Sequence, residues 1–458
     1  MQRITVAERR RRLAVRHCLA RAPGSDGEQN GPADVARSLV ALHATDPATV
    51  YLSVRARTVP AATVAGISDS LYQLRELVRM LAMRRTMFVL PAESVPMVQA
   101  AATDPIARDQ RALLVKLLRQ TSEVSEPEAW LSDVERSVLG LLAERGGTAT
   151  AAELTAAEPR LQTRLTLAAG KAYQATPNVT SRLLFVLAAQ GQLIRGQPLG
   201  SWLSQQYRWA LAEHWLADEA DRAGGAGGAM EGAAGHADGA SPGDAAAARA
   251  ELARKWLASF GPAPLSDLKW WTGWTMAQVR AAVGQIETAE VEVGTGDGSG
   301  EIAVPGIVLA DDQHPTPDPG PWVALLPALD ATVMGWSDRS WFLGPHGPAL
   351  FDQNGNAGPT VWLNGKIVGG WAQRPDGEVA IRILEDSGAE AKGMIEAEAA
   401  RVADWLAEVR VIPRFRTPLE RELARLAAPG AAPWDPWCRQ SATVGPLVHL
   451  APQVLRPY

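Results

Sequence analysis

The sequence predicts an α+β chain: three tandem winged-helix units followed by a small antiparallel β-barrel. Three observations predict it. Helical patterns recur in sets, each set followed by an alternating apolar stretch of the kind that forms a hairpin. A low-complexity Gly/Ala/acidic run, Asp218 to Ala248, interrupts that series and cannot bury enough apolar surface to order itself. The C-terminal part carries Asn364-Gly365 and Asp376-Gly377, the strongest short hairpin signals, between strand-like segments.

Taken in order, "VAERRRRLAVRHCLA" reads as a first helix and "GPADVARSLVALHA" as a second, with Pro32 near its start. "DPATVYLSVRART" reads as a third, with Asp46 at the N-cap and Pro47 at the first helical position. "ISDSLYQLRELV" is a candidate fourth. "RMLAMRRTMFVLPAE" then alternates as a basic hairpin does, giving a winged-helix unit over residues 1–105. The second unit, 106–217, has "LSDVERSVLGLLAERGGTATAAELTAA" as two helices about a Gly146-Gly147 turn. "TPNVTSRLLFVLAAQ" follows as a recognition-type helix stopping at Gly191, and the wing comes next. After the linker at 218–248, the stretch 249–312 repeats the plan, with Ser266 and Thr275 as expected N-caps. Residues 313–458 hold the strands of a small antiparallel barrel or curled sheet, a helix and a Pro-rich tail.

With 458 residues and 47% hydrophobic composition the chain has ample core. Its apolar runs are too short to cross a bilayer, and the N-terminus lacks a long apolar segment and a small-residue cleavage site. Only Cys18 and Cys438 are present, too few for a disulfide framework or a four-ligand zinc site, which fits a reducing cytoplasm. A monomer without membrane contact is expected. The net charge of −5 does not mark a nucleic-acid binder, but residues 1–100 hold fourteen Arg and no Lys against eight Asp plus Glu, a local +6. No phosphate loop, no H-E-x-x-H and no Cys/His cluster occurs; no metal and no cofactor is expected.

Candidate contacts with double-stranded DNA are Arg55 and Arg57 on the third helix, Arg84 and Arg85 at the first wing tip, and Arg182 and Arg195 in the second unit. Trp270, Trp271 and Trp274 form a compact aromatic set read as core. His43, Thr45 and Asp46 gather polar chemistry at the end of one element and the start of the next. On extended backbone His43 and Thr45, two apart, point to one side and can hold a water between them. Asp46 is either the cap of the following helix or a carboxylate for a developing positive charge.

Four stretches carry a resemblance: "LVALHATDPATVYLSVRAR", "LVRMLAMRRTMFVLPAE", "GPAPLSDLKWWTGW" and "LLPALDATVMGW…ALFDQNGNAGPTVWLNGKIVGGW". With them the chain resembles the winged-helix DNA-binding family that contains the AlkZ and YcaQ DNA glycosylases. The resemblance implies three winged-helix units and a β-barrel shaped into a basic channel for duplex DNA. It also implies monofunctional excision of bulky N7-alkylated purines. The positions of the family's catalytic pair, Gln-x-Gln or Gln-x-Asp, fall on His43 and Thr45, and neither residue matches that pattern; for the chemistry to run here His43 would act as general base and Thr45 would orient the water. The alternative is a non-catalytic DNA-binding regulator or lesion sensor. A scaffold that binds proteins is a third reading.

Overall fold

The computed structural model describes residues 1–21, 30–168, 170, 174–216, 241–296, 300–413 and 416–425. The chain opens with a short strand, β1 (Gln2–Ile4), and the helix Val6–Arg16, whose N-cap Thr5 accepts the Glu8 amide. Sequence reasoning assigns that helix to the first unit. It packs instead against the third unit, and β1 pairs in parallel with a strand there. Its arginines explain the displacement. Arg12 bonds Glu8 at 2.8 Å, Asp312 at 3.1 Å and the His314 carbonyl at 2.9 Å, while Arg16 bonds Asp312 at 2.5 Å. Part of the basic charge of the first hundred residues is therefore spent inside the protein, joining the chain's start to residue 312 and its neighbours.

The first unit comprises the helices Pro32–Ser38, Pro47–Arg55 and Val64–Tyr72, a two-residue strand β2 (Leu42–His43), and the hairpin β3 (Leu77–Leu81) and β4 (Met87–Pro91). The sheet order is β2-β4-β3, with His43 opposite Phe88 and Phe88 opposite Met80. Pro47–Arg55 starts where the sequence places it. Asp46 is extended, its carboxylate accepts the Ala48 amide at 3.0 Å, and Pro47 supplies a preset φ. All nine residues of this helix are buried.

The helix Asp104–Leu118 leads to the second unit, which has helices Pro127–Glu144, Ala151–Ala157 and Thr180–Ala189. Its strands are β5 (Thr148–Ala149), β6 (Leu193–Pro198) and β7 (Tyr207–Leu211), in the order β5-β7-β6. Leu131, Val134, Val138 and Leu142 lie at three- and four-residue spacing on one helix face, and all are fully buried in this unit's own core.

The third unit has helices Pro242–Phe260, Leu265–Thr272 and Met276–Val283 and the hairpin β8 (Thr288–Thr295) and β9 (Ile302–Leu309). Ala263, between the first two helices, bridges to Ile307 of β9, the place that β2 and β5 take in their units. The three units thus share one plan: a short extended segment after the first helix pairs with the second hairpin strand. The first helix here begins at Pro242, with Ser241 as its cap, inside the segment expected to be linker; the rest of that segment lies outside the described residues. Ser266 does not cap its helix, which starts one residue earlier behind Pro264, whereas Thr275 does cap, in a box with Gln278.

The C-terminal strands β10 (Val323–Leu326), β11 (Thr360–Leu363), β12 (Lys366–Gln373) and β13 (Val379–Ile383) form a meander in sequence order. Asn364 and Gly365 turn it with φ of 48° and 83°, the left-handed pair that their dipeptide favours. Among the described residues no pairing joins β13 to β10, so this sheet is open and not closed into the barrel that the sequence offers beside a curled sheet. Both faces are covered. Leu325, Val361 and Val368 pack against the helix Gly388–Leu406, while Ala324, Leu326 and Trp362 face the main core. A last helix, Pro418–Arg425, lies against β12.

Candidate nucleic-acid interface and the His43 segment

The segment from His43 to Asp46 runs from the end of β2 to the N-cap of the next helix. His43 is 6% exposed and meets the ring of Phe88 edge-on at 5.4 Å between centroids. Its Nδ1 is buried and has no hydrogen-bond partner among the described residues. Burial, reinforced by the Arg84 charge, pushes its pKa down to about 3, so the imidazole is neutral at pH 7. Ala44 is held on both sides: its amide donates to Met87 at 2.8 Å and its carbonyl accepts from Arg79 at 2.8 Å. Thr45 is exposed. The chain bends after Ala44, and the alternation expected to put His43 and Thr45 on one side does not hold: one is interior, the other at the surface. Asp46 is half-buried; burial raises its carboxyl pKa despite the Ala48 amide.

The six arginines expected at DNA divide sharply. Arg57 is interior. Its side chain and that of Asp330 are both at 0% exposure and meet at 2.7 Å, and its Nε donates to the His17 carbonyl at 2.9 Å. Arg55 is also buried and pairs with Glu398. Neither is at a surface that a duplex can touch: Arg55 ends a helix enclosed along its whole length, and Arg57, two residues beyond it, is buried in its own right. Arg195 is half-buried. Its Nε donates to the Tyr207 hydroxyl at 2.6 Å, and its guanidinium lies 5.3 Å from the ring centroid of Tyr207 and 5.4 Å from that of Trp209.

Arg84 and Arg85 sit at the tip of the first hairpin, both exposed and both with positive φ, 54° and 59°. Arg182 is half-buried; burial first, then the like charge of Arg85, lowers its pKa, so these two side chains share one neighbourhood. Among the described residues none of the three has a carboxylate within ion-pair distance, in contrast to Arg55 and Arg57. One residue that sequence reasoning misses joins Arg84: Arg339, from the segment after Trp336. Arg79, fixed on the Ala44 carbonyl, belongs instead with Arg195 and Tyr207. Of the tryptophans read as core, Trp271 and Trp274 are buried, but Trp270 is half-buried, with the Arg84 guanidinium 4.0 Å and the Arg339 guanidinium 4.8 Å from its ring centre. An Asp-Arg pair amid bulky apolar residues, "GWSDRSW", was the available signal for Arg339.

Among the described residues no group of His, Cys, Asp and Glu is arranged to hold a metal ion, and no helix is long and apolar enough to cross a membrane. The arrangement offers a neutral buried imidazole next to a positive surface without paired carboxylates among the described residues, which suits a polyanion.

Comparison with known proteins fits that description. A model of the AlkZ-like DNA glycosylases matches residues 36–405, and the chain belongs to that family. Among solved structures it is similar to the DNA glycosylase AlkZ of Streptomyces sahachiroi, with a TM-score of 0.62 and 19% identity over 90% of this chain and 99% of that one. At that identity the likeness speaks for the fold. No curated protein matches the sequence.

Proposed function

We propose that the protein binds duplex DNA through its three helix-and-hairpin units, read as winged helices, and removes bulky N7-alkylated purines as a monofunctional glycosylase. The observation that carries the reading is His43 Nδ1, a buried nitrogen without a partner among the described residues, at the position that the resemblance assigns to the catalytic pair. Nearly all buried polar groups are hydrogen-bonded, so such an atom suits a water or a substrate group that arrives with the DNA.

The chemistry asks little of it. An N7-alkylated purine is already cationic, so the C1′–N9 bond breaks with its electron pair going to the base and no acid is needed. Water then adds to the oxocarbenium-like C1′ and loses a proton to solvent. A neutral imidazole accepts a hydrogen bond from that water and orients it. At a pKa of about 3 His43 is a positioning acceptor rather than a proton store. Thr45, exposed two residues on, reaches the DNA side of the same segment, and Asp46 holds the helix start. Arg84, Arg85 and Arg182 supply the positive surface.

One observation favours a second reading, DNA binding without excision: His43 and Thr45 do not share a face, which weakens their capacity to clasp one water. Single-turnover incubation with duplex bearing one N7-methylguanine separates the two. Abasic sites above spontaneous depurination support the enzyme. Binding with no release at a hundredfold protein excess leaves the sensor.

A further inference from the structure

Trp270 is flanked by two guanidiniums from distant parts of the chain, Arg84 at 4.0 Å and Arg339 at 4.8 Å from its ring centre. Arg339 also lies 4.9 Å from the ring centre of Phe351. Among the described residues neither arginine has a carboxylate within ion-pair distance, and the Nε of Arg339 is buried with no hydrogen-bond partner. Asp267 acts on Arg339 only at longer range, and its Oδ1 is taken by the Ser337 and Asp338 amides at 3.0 and 3.2 Å.

Two cations held side by side without a paired anion repel each other; at Arg339 burial first and then the charge of Arg84 disfavour the charged form. The backbone reinforces the point. Arg84 and Arg85 hold left-handed φ values that Asn or Gly adopts more readily, so hairpin stability alone favours other residues. Gly273 also leaves room for this packing, since a Cβ there would lie 3.1 Å from Arg84 Cγ.

We infer that Arg84 and Arg339, stacked on Trp270, form a two-guanidinium clamp for one DNA backbone phosphate beside the nucleotide that faces His43. A phosphate brought between them removes the repulsion and satisfies the free Nε. Guanidinium–phosphate bonds are charge-assisted and directional, so the clamp fixes the strand's register. The proximity of Arg84 to His43 places that phosphate close to the reacting sugar. The inference rests on the duplex-DNA reading above.

The test pairs a protein change with a DNA change. Fluorescein-labelled duplex carrying a tetrahydrofuran abasic-site analogue is prepared with single methylphosphonates at each phosphate around the lesion. Wild type is expected to lose about tenfold in affinity at one or two of these positions. Arg339→Gln is expected to lose about as much on unmodified DNA and nothing further at those positions, and Arg339→Lys to recover part of the loss. Arg84→Gln, at an exposed tip, gives the same cycle if Arg339→Gln does not fold. Losses that multiply at every phosphate, or variants that bind like wild type, overturn the clamp. If wild type excises N7-methylguanine while both variants bind normally, the clamp falls and the glycosylase reading stands. If the phosphate coupling appears without excision, the clamp stands and the glycosylase reading falls.

Discussion

Removing the Arg57 charge should unfold the protein's centre rather than weaken its grip on DNA. Arg57 spends its fork on five acceptors. Nε bonds the His17 carbonyl at 2.9 Å, Nη1 the Ser53 carbonyl at 2.8 Å and Asp330 at 2.9 Å, and Nη2 Asp330 at 2.7 Å and Thr332 at 2.8 Å. Asp330 keeps the Ser53 hydroxyl at 2.6 Å and the Thr332 amide at 2.9 Å, and Arg57 and these bonds outweigh burial to hold its pKa below the usual carboxylate range. Arg57→Met replaces the side chain at similar volume and strands a buried carboxylate. Breaking one side of a buried pair costs about 3–5 kcal/mol. Losing both partners costs less than losing one, so Arg57→Met with Asp330→Leu should be more stable than Arg57→Met alone. Urea unfolding followed by tryptophan fluorescence gives the midpoints. A loss under about 1 kcal/mol for Arg57→Met, or a double variant weaker than both singles, would refute the reasoning.

Other consequences follow from the same geometry. Arg85→Ala, at an exposed tip, should leave stability within about 0.5 kcal/mol and lower the slope of log affinity for duplex DNA against log salt by about 1, read by anisotropy titration at several salt concentrations. His17 and His43 have pKa values pushed by burial to about 3, below the unfolded value near 6.5. The unfolded chain therefore takes up their protons first; the stability they contribute is whole above pH 6.5 and lost as pH falls toward 3, at about 1.4 kcal/mol per unit for each group. Urea midpoints from pH 7.5 to 5 check the slope; a flat profile would contradict it. Glu420 behaves oppositely. Burial raises its pKa to about 7, and its Oε2 has no partner among the described residues, so the charged form destabilises the fold as pH rises from 4.5 through 7. Glu420→Gln should raise the melting temperature at pH 8.5 and not at pH 5; the reverse order would show that Arg416, at 3.7 Å, compensates the charge fully.

Local chemistry was legible wherever a residue acts on its own neighbours. Asp46 and Pro47 start a helix, Thr275 caps another, and Asn364-Gly365 turns a hairpin, each through atoms a few residues apart. The site was legible only in part for the opposite reason. Whether an arginine faces solvent depends on what packs over it. Arg57 needs Asp330, 273 positions away, and nothing in "LSVRAR" announces that. An aspartate inside the apolar run "ALLPALDATVMGW" was the one available hint of a buried partner. The N-terminal helix was misassigned because its amphipathic pattern fits any adjacent core; its home was decided by Asp312, about three hundred residues on. The i, i+2 spacing of His43 and Thr45 assumed an extended strand through residue 45, whereas β2 stops at His43.

The most direct test of the account is single-turnover release of N7-methylguanine from duplex DNA by wild type, His43→Ala and His43→Gln, at pH 6, 7 and 8. If His43 positions the water as a neutral acceptor, wild-type release is level across this range, His43→Ala falls by about a hundredfold with DNA affinity unchanged, and His43→Gln retains much of the rate. Equal release by wild type and His43→Ala, or a rate that climbs with a pKa near 6.5, would contradict it.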